Sequence, residues 1–212
     1  MSSRDEILRR LRPKTRELSH PQPWHSRRAF TDLAARFTEA LTAAQGEVIH
    51  AQNLDEAWQK LGDLLREIEA ENIVANHEFP ITQLPNYPIT QLPNYLNWHI
   101  AGQSEGDLKA ACETADVGLT SAEAAFAETG SIVVSSGPTR SRMVSLLPPI
   151  HIALVPTSKL TADIFTWAAT RQGDLPANTV FISGPSKTAD IEMTLVKGVH
   201  GPKRFIVILY GD

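Results

Sequence analysis

Cysteine is nearly absent from this chain: Cys112 stands alone in 212 residues. A disulfide within the chain is therefore excluded, and no Cys-rich metal or iron–sulfur site can be built from it. Its neighbours Ala111 and Glu113 offer no cationic activation, so a packed, inert thiol is expected. No run approaches ~20 continuous apolar residues, and no membrane-spanning helix is expected. The first ten residues, MSSRDEILRR, are charged throughout and have no signal-peptide apolar core, so the expected location is cytoplasmic. Nucleotide fingerprints are missing as well. The glycine spacing before Lys187 is not that of a Walker A loop, and that turn is not G-x-G-x-x-G.

The length suits one domain, or one domain with an appended N-terminal segment. Hydrophobic residues make up 42%, enough for a core. A net charge of −4 points to neither nucleic acid nor membrane as a general partner. The charge is uneven, however. Residues 1–36 hold nine Lys or Arg against four acids, and residues 41–113 hold three against eleven. Such a basic segment either docks on something acidic or presents a solvated helix face.

Ser3 and Glu6 form a capping-box pattern that opens a short helix through Leu11. A Pro-rich arm over 12–26 follows, expected to pack Trp24 on its own domain or on a neighbour. Phe30, Leu33, Ala34, Phe37 and Leu41 keep helical spacing and predict a helix over about 28–44. Residues 1–45 read as an N-terminal helical segment with its arm, and residues 46–212 as an α/β domain. Within that domain a strand at 47–51 precedes a helix capped by Asn53 and Glu56, and a strand follows at 73–75. PITQLPNY then occurs twice in tandem over 80–95; its four prolines argue for a loop, to which no chemistry is assigned. Helices are expected at 104–114, 121–127 and 157–172, and strands at 115–119, 132–135, 150–155 and 205–209. The expected fold class is α/β, a mostly parallel twisted sheet with helices on both faces and a helical N-terminal extension.

Chemistry-bearing side chains are densest in TVFISGPSKTADIEMTLVKGVHGPK, residues 179–203. Thr179 to Ile182 reads as a short buried strand, and Gly184-Pro185 as a turn. Residues 188–197 read as a helix with Ile191, Leu195 and Val196 on one face. A strand, polar turn and helix start would aim free backbone N–H groups at an anion. Ser183, Gly184, Ser186, Lys187 and Thr188 would then be ligand-binding. Asp190 and Glu192 are either ligand groups or acids suited to the first helical turn. His200 is either a proton carrier or a structural histidine. Arg140 and Arg142, two apart, would clamp a carboxylate or phosphate if their segment is extended, and are otherwise solvated. His151, opening a strand, reads as core. No metal site is expected.

Three runs, ADVGLTSAEAAFAETGSIVV, RMVSLLPPIHIALVP and ISGPSKTADIEMTLVKGVHGPKRFIVIL, occur in order over about 115–211. They resemble the lactate-utilization protein C family, the LUD-domain proteins, related to the NagB/RpiA/CoA-transferase-like fold. The resemblance implies the cluster-free subunit of an iron–sulfur system that oxidises L-lactate to pyruvate. No cofactor is then expected in this chain, and iron–sulfur clusters are expected on partner subunits. A small anionic metabolite is the implied ligand. In CoA-transferases of the related fold a nucleophilic glutamate sits beside glycine, which would make Glu128 a nucleophile or base, with Thr129, Gly130 and Ser131 binding ligand. Alternatively, Glu128 holds a loop by an ion pair. Two other readings stay open: a stand-alone transferase or isomerase acting on a CoA ester or sugar phosphate, and a regulatory metabolite-binding protein. The duplicated loop and the Pro-rich arm match nothing in the family.

Overall fold

The computed structural model describes residues 3–11, 24, 26–76, 95–171, 173, 175–189 and 195–211, excepting the side chains of 188–189 and 195–197. The tandem repeat up to residue 94, the arm over 12–23, Asp190 and Glu192 lie outside the described residues. The elements, in chain order, are α1 (Ser3–Leu11), α2 (Leu33–Ala43), β1 (Glu47–Ala51), α3 (Leu54–Glu67), β2 (Asn72–Ala75), β3 (Asn97–Ile100), α4 (Leu108–Thr114) and β4 (Val117–Ser121). They continue with β5 (Ala124–Phe126), β6 (Ser131–Ser136), α5 (Met143–Leu146), β7 (Ile150–Pro156), β8 (Leu160–Thr161), α6 (Ile164–Thr170), β9 (Asn178–Ile182), β10 (Lys187–Ala189), β11 (Leu195–Lys197) and β12 (Arg204–Tyr210).

The expected α/β sheet is present. Six strands in the order β1-β12-β7-β4-β2-β3 pair in parallel throughout. The β-branched runs of β7 and β12 are buried on both sides, as strands covered on both faces must be. On one face α3 inserts Trp58, Leu61 and Leu65 against Ile73, Leu119, Ile152 and Ile206. Burying each of these side chains is worth roughly 1.5–3 kcal/mol. The Asn53 side chain accepts from the Glu56 N–H (3.0 Å), starting α3, and the Glu56 carboxylate accepts in return from Gln52 N–H (2.7 Å). On the other face α2 seats Phe37 and Leu41 against Val207, Leu209, Ile132 and Val134. Under α4 and α5, Cys112 packs with Val74, Ala115 and Val144. Burial, with Asp107 and Glu113 nearby, pushes the Cys112 thiol up to about 11. Among the described residues no helix is long and apolar enough to cross a membrane.

Several expectations are corrected. A second sheet, ordered β8-β5-β6-β9, lies over the face that α2 shares. Residues 121–127 are not a helix: Glu123 N–H donates to Val133 O (2.8 Å), and Ala124 to Phe126 run antiparallel to β6. Their small side chains let this sheet settle against the main one. The strands at 132–135 and 179–182 belong to this second sheet, and β9 is only half-buried. Residues 157–172 break into a short 3-10 turn, β8 and α6, because the buried Asp163 caps a new helix at Thr166 N–H (2.8 Å). Most consequentially, 188–189 and 195–197 are strand rather than helix. β10 and β11 pair antiparallel, Thr188 opposite Val196, and Gly198 N–H continues the ladder to Ser186 O (3.0 Å). Three apolar residues at helical spacing do not outweigh β-branched Thr188 and Val196 once a partner strand is available. β3 (Asn97–Ile100) was not expected at all, being four residues long directly after the Pro-rich insertion.

Candidate functional site

Without a helix after Ser186, the backbone geometry that would cradle an anion at Ser186 to Thr188 does not form. Lys187 turns its ammonium to Ala44 O, at the carboxyl end of α2. There it meets the negative end of the helix dipole. Of the other expected residues, Arg140 lines one concavity and Ser183, Gly184, Ser186 and His200 line another, at opposite ends of the parallel sheet.

The first lies beyond the carboxyl end of β4. Its volume is about 450 Å³, and Glu123, Ser135, Arg140 and Arg171 supply its polar wall. Ser135 donates its hydroxyl to the Glu123 carboxylate, whose other oxygen lies 3.7 Å from the Arg171 guanidinium. Arg171 also rests over the Trp167 ring, 5.1 Å from its centroid. Arg140 is carried by a tight turn in which Gly137 N–H donates to Arg140 O (2.9 Å) and Arg140 N–H to Gly137 O (3.1 Å). The segment is therefore folded rather than extended, and Arg142, exposed at the start of α5, does not line the cleft beside Arg140. This turn is fastened to the sheet by Ser141 N–H, which donates to the side-chain oxygen of the buried Asn76 (2.9 Å) just past β2. From β2 the chain passes outward to β3, whereas from β4 it passes the other way to β7. The boundary of β2 and β4 is thus where connections diverge, the crevice at which open α/β sheets bind ligands.

The second concavity, about 190 Å³, sits at the amino-terminal end of β7 and β12. Ser183, Gly184, Ser186 and His200 line it together with His151 and Phe205. Ser131 joins this group from behind through a chain of hydroxyls, Thr129 to Ser131 (2.7 Å) and Ser131 to Ser183 (2.7 Å). Glu128 faces elsewhere. Its carboxylate pairs with Arg28, and its carbonyl accepts from Arg36 (3.4 Å). Gly130, in the left-handed region at φ 65°, packs directly on the backbone of α2, so its missing side chain makes room for that helix. The end of the arm lies against the same region: Trp24 meets Phe165 edge-on (4.5 Å), and Ser26 donates to Asp163. Burial disfavours the Asp163 carboxylate, yet donation from Ser26 and Thr166 holds it below the usual range. Among the described residues no three His, Cys, Asp or Glu side chains converge as a metal site would require.

Glu123, Arg171 and Asn76 are the groups that sequence reasoning passed over, whereas His151, read as core, is fully buried. Asn76 carried a usable signal, a polar residue directly after a parallel strand. Glu123 and Arg171 carried none, since neither belongs to a local motif that points to a ligand.

A family model for the LUD domain matches residues 34–210. The chain belongs to the LUD-domain family. Among similar proteins, lactate utilization protein C from Exiguobacterium is 45% identical over 123 residues, 55% of this chain and 53% of the relative. That from Halalkalibacterium halodurans is 36% identical over 167 residues, 75% of this chain and 71% of the relative. That from Bacillus subtilis is 41% identical over 118 residues, covering 53% and 49%. The match to this LUD domain therefore spans about half the length of two of these three relatives. A crystal structure of a DUF162 family protein from Deinococcus radiodurans shares the fold, with a TM-score of 0.59 at 20% identity over 84% of this chain and 96% of that one.

Proposed function

We propose that this LUD-domain chain serves L-lactate oxidation as a subunit without clusters of its own, binding a small carboxylate such as lactate or pyruvate in the Arg140–Arg171 cleft. Iron–sulfur proteins are the partners this reading requires. The similarity to lactate utilization protein C proteins supports the pathway. The observation that supports the site is that the Arg140 and Arg171 side chains line one open cleft near the divergence point of the sheet. A guanidinium matches a carboxylate with paired N–H donors, which suits this wall to a small carboxylate. Glu123 and Trp167 hold Arg171 in place beforehand, which reduces the ordering cost of binding. A covalent transferase reading through Glu128 has no such support, because its carboxylate already pairs with Arg28.

Two measurements test this. Calorimetric titration should show L-lactate and pyruvate binding while uncharged lactamide does not, and Arg140→Gln should weaken the anions about tenfold, the worth of one charge-assisted hydrogen bond. Equal affinity for lactate and lactamide would remove the cleft from consideration. A tagged pull-down from the host grown on L-lactate, assayed for iron and labile sulfide, should recover iron–sulfur proteins. An iron-free eluate would count against the subunit role.

A further inference from the structure

The second concavity differs chemically from the first. His151 is fully buried in its wall, its ring stacked on Phe205 at 5.1 Å and 19°. One ring nitrogen, Nε2, lies 2.8 Å from the Thr120 hydroxyl. The other, Nδ1, is buried and has no hydrogen-bond partner among the described residues. Burial keeps this ring neutral down to about pH 3. A buried polar atom left unpaired is uncommon enough in folded proteins to call for a bound partner.

Three features of the walls define that partner. Among the described residues no Lys, Arg, Asp or Glu lines the cavity, so they offer an entering ion no compensation for its lost hydration. Leu146, Val180, Ile182 and Phe205 make most of the remaining surface apolar. Water alone fits poorly. At ~30 Å³ per molecule about six would be needed, each seeking two to four polar partners. The Ser145 hydroxyl already donates to Arg142 O (3.0 Å), and the Ser183 hydroxyl is engaged with Ser131 (2.7 Å). A hydroxyl group both donates and accepts, and so completes Nδ1 whichever ring nitrogen carries the proton. Half-exposed Phe181 and exposed His200 flank the opening, giving access from solvent.

We propose that this cavity is a second binding site, for a small uncharged hydroxyl compound whose OH bonds His151 Nδ1 and whose apolar body packs on Phe205, Val180 and Leu146. The site is separate from the carboxylate cleft and does not depend on it.

Phenol is a suitable probe. In the full 15N-labelled chain, its titration should move the His151 Nδ1 resonance saturably, and L-lactate should leave that resonance in place. His151→Phe should weaken phenol binding, followed by calorimetry, about tenfold through loss of one hydrogen bond. That variant also alters the stack on Phe205. Ser186→Leu is therefore paired with it, since it narrows the cavity from the rim without touching His151, and it too should block the phenol-induced shift. The proposal is overturned if phenol leaves Nδ1 unmoved up to its solubility limit. It is equally overturned if L-lactate moves Nδ1 as readily, or if folded Ser186→Leu binds phenol as the parent does.

Discussion

Replacing Gly130 by alanine separates the packing role of this glycine from a ligand-binding one. The added Cβ would lie 2.5 Å from Leu41 Cα and 2.8 Å from the Ala40 carbonyl carbon. Carbon atoms settle at about 3.5–4.0 Å, so α2 would have to withdraw by roughly 1 Å. That helix carries Phe37 and Leu41, both fully buried, and retreats only by loosening the core beneath it. Overpacking of this kind costs about 1–3 kcal/mol, and a left-handed backbone adds about 1–2 kcal/mol for a residue with a Cβ. Reduced freedom of the unfolded chain returns about 0.4–1 kcal/mol. The net loss is roughly 2–4 kcal/mol, or about 4–16 °C in melting temperature for a chain of this size. Gly173→Ala is the matching control: φ is 86° there, but nothing lies within 4 Å of the added atom. It should show the backbone cost alone. The assay is thermal unfolding by circular dichroism of both variants without ligand. If Gly130→Ala melts with the wild type, or no lower than Gly173→Ala, the packing argument fails.

Gly118→Ala should also destabilise by about 1–3 kcal/mol, because its Cβ would overlap the Val144 carbonyl oxygen of α5 and stand 3.0 Å from the carbon. A urea midpoint equal to the parent's would contradict this. His151 predicts a pH dependence. It stays neutral in the native chain to about 3, against an ordinary value of 6.5. As pH falls below 6.5 the unfolded chain takes up a proton that the native state refuses, so stability is full above 6.5 and declines towards 3. The slope between pH 6 and 4 should approach about 1.4 kcal/mol per pH unit and flatten in His151→Gln. Identical slopes would mean the ring is not buried as described. Finally, a double-mutant cycle on Arg28 and Glu128 should give a coupling below about 1 kcal/mol, as the guanidinium is half exposed. A larger value would mark the segment just before α2 as a structural strap.

The main sheet was legible because its signals are local. The strands at 73–75 and 205–209 are continuous apolar runs and 150–155 is interrupted only by His151, as a sheet covered on both faces demands, and α3 announces itself through Asn53, Glu56 and a regular apolar stripe. The family was legible for the same reason, since its motifs are contiguous. Nothing local specifies the second sheet. β5 joins residues 124–126 to 160–161, and β9 pairs with a strand some forty residues earlier, so these short segments become strands only when distant partners arrive. At 187–189 and 195–197 a weak helical pattern gave way to pairing between two nearby strands. The two concavities follow the pairing. Arg140 comes to the same cleft as Arg171 through the folding of the 137–140 turn, and His151 loses water because Phe205, about fifty residues further along the chain, is its neighbour in a parallel ladder. Residue type settled which chemistry was on hand; burial and strand order settled which groups meet and which of them are charged.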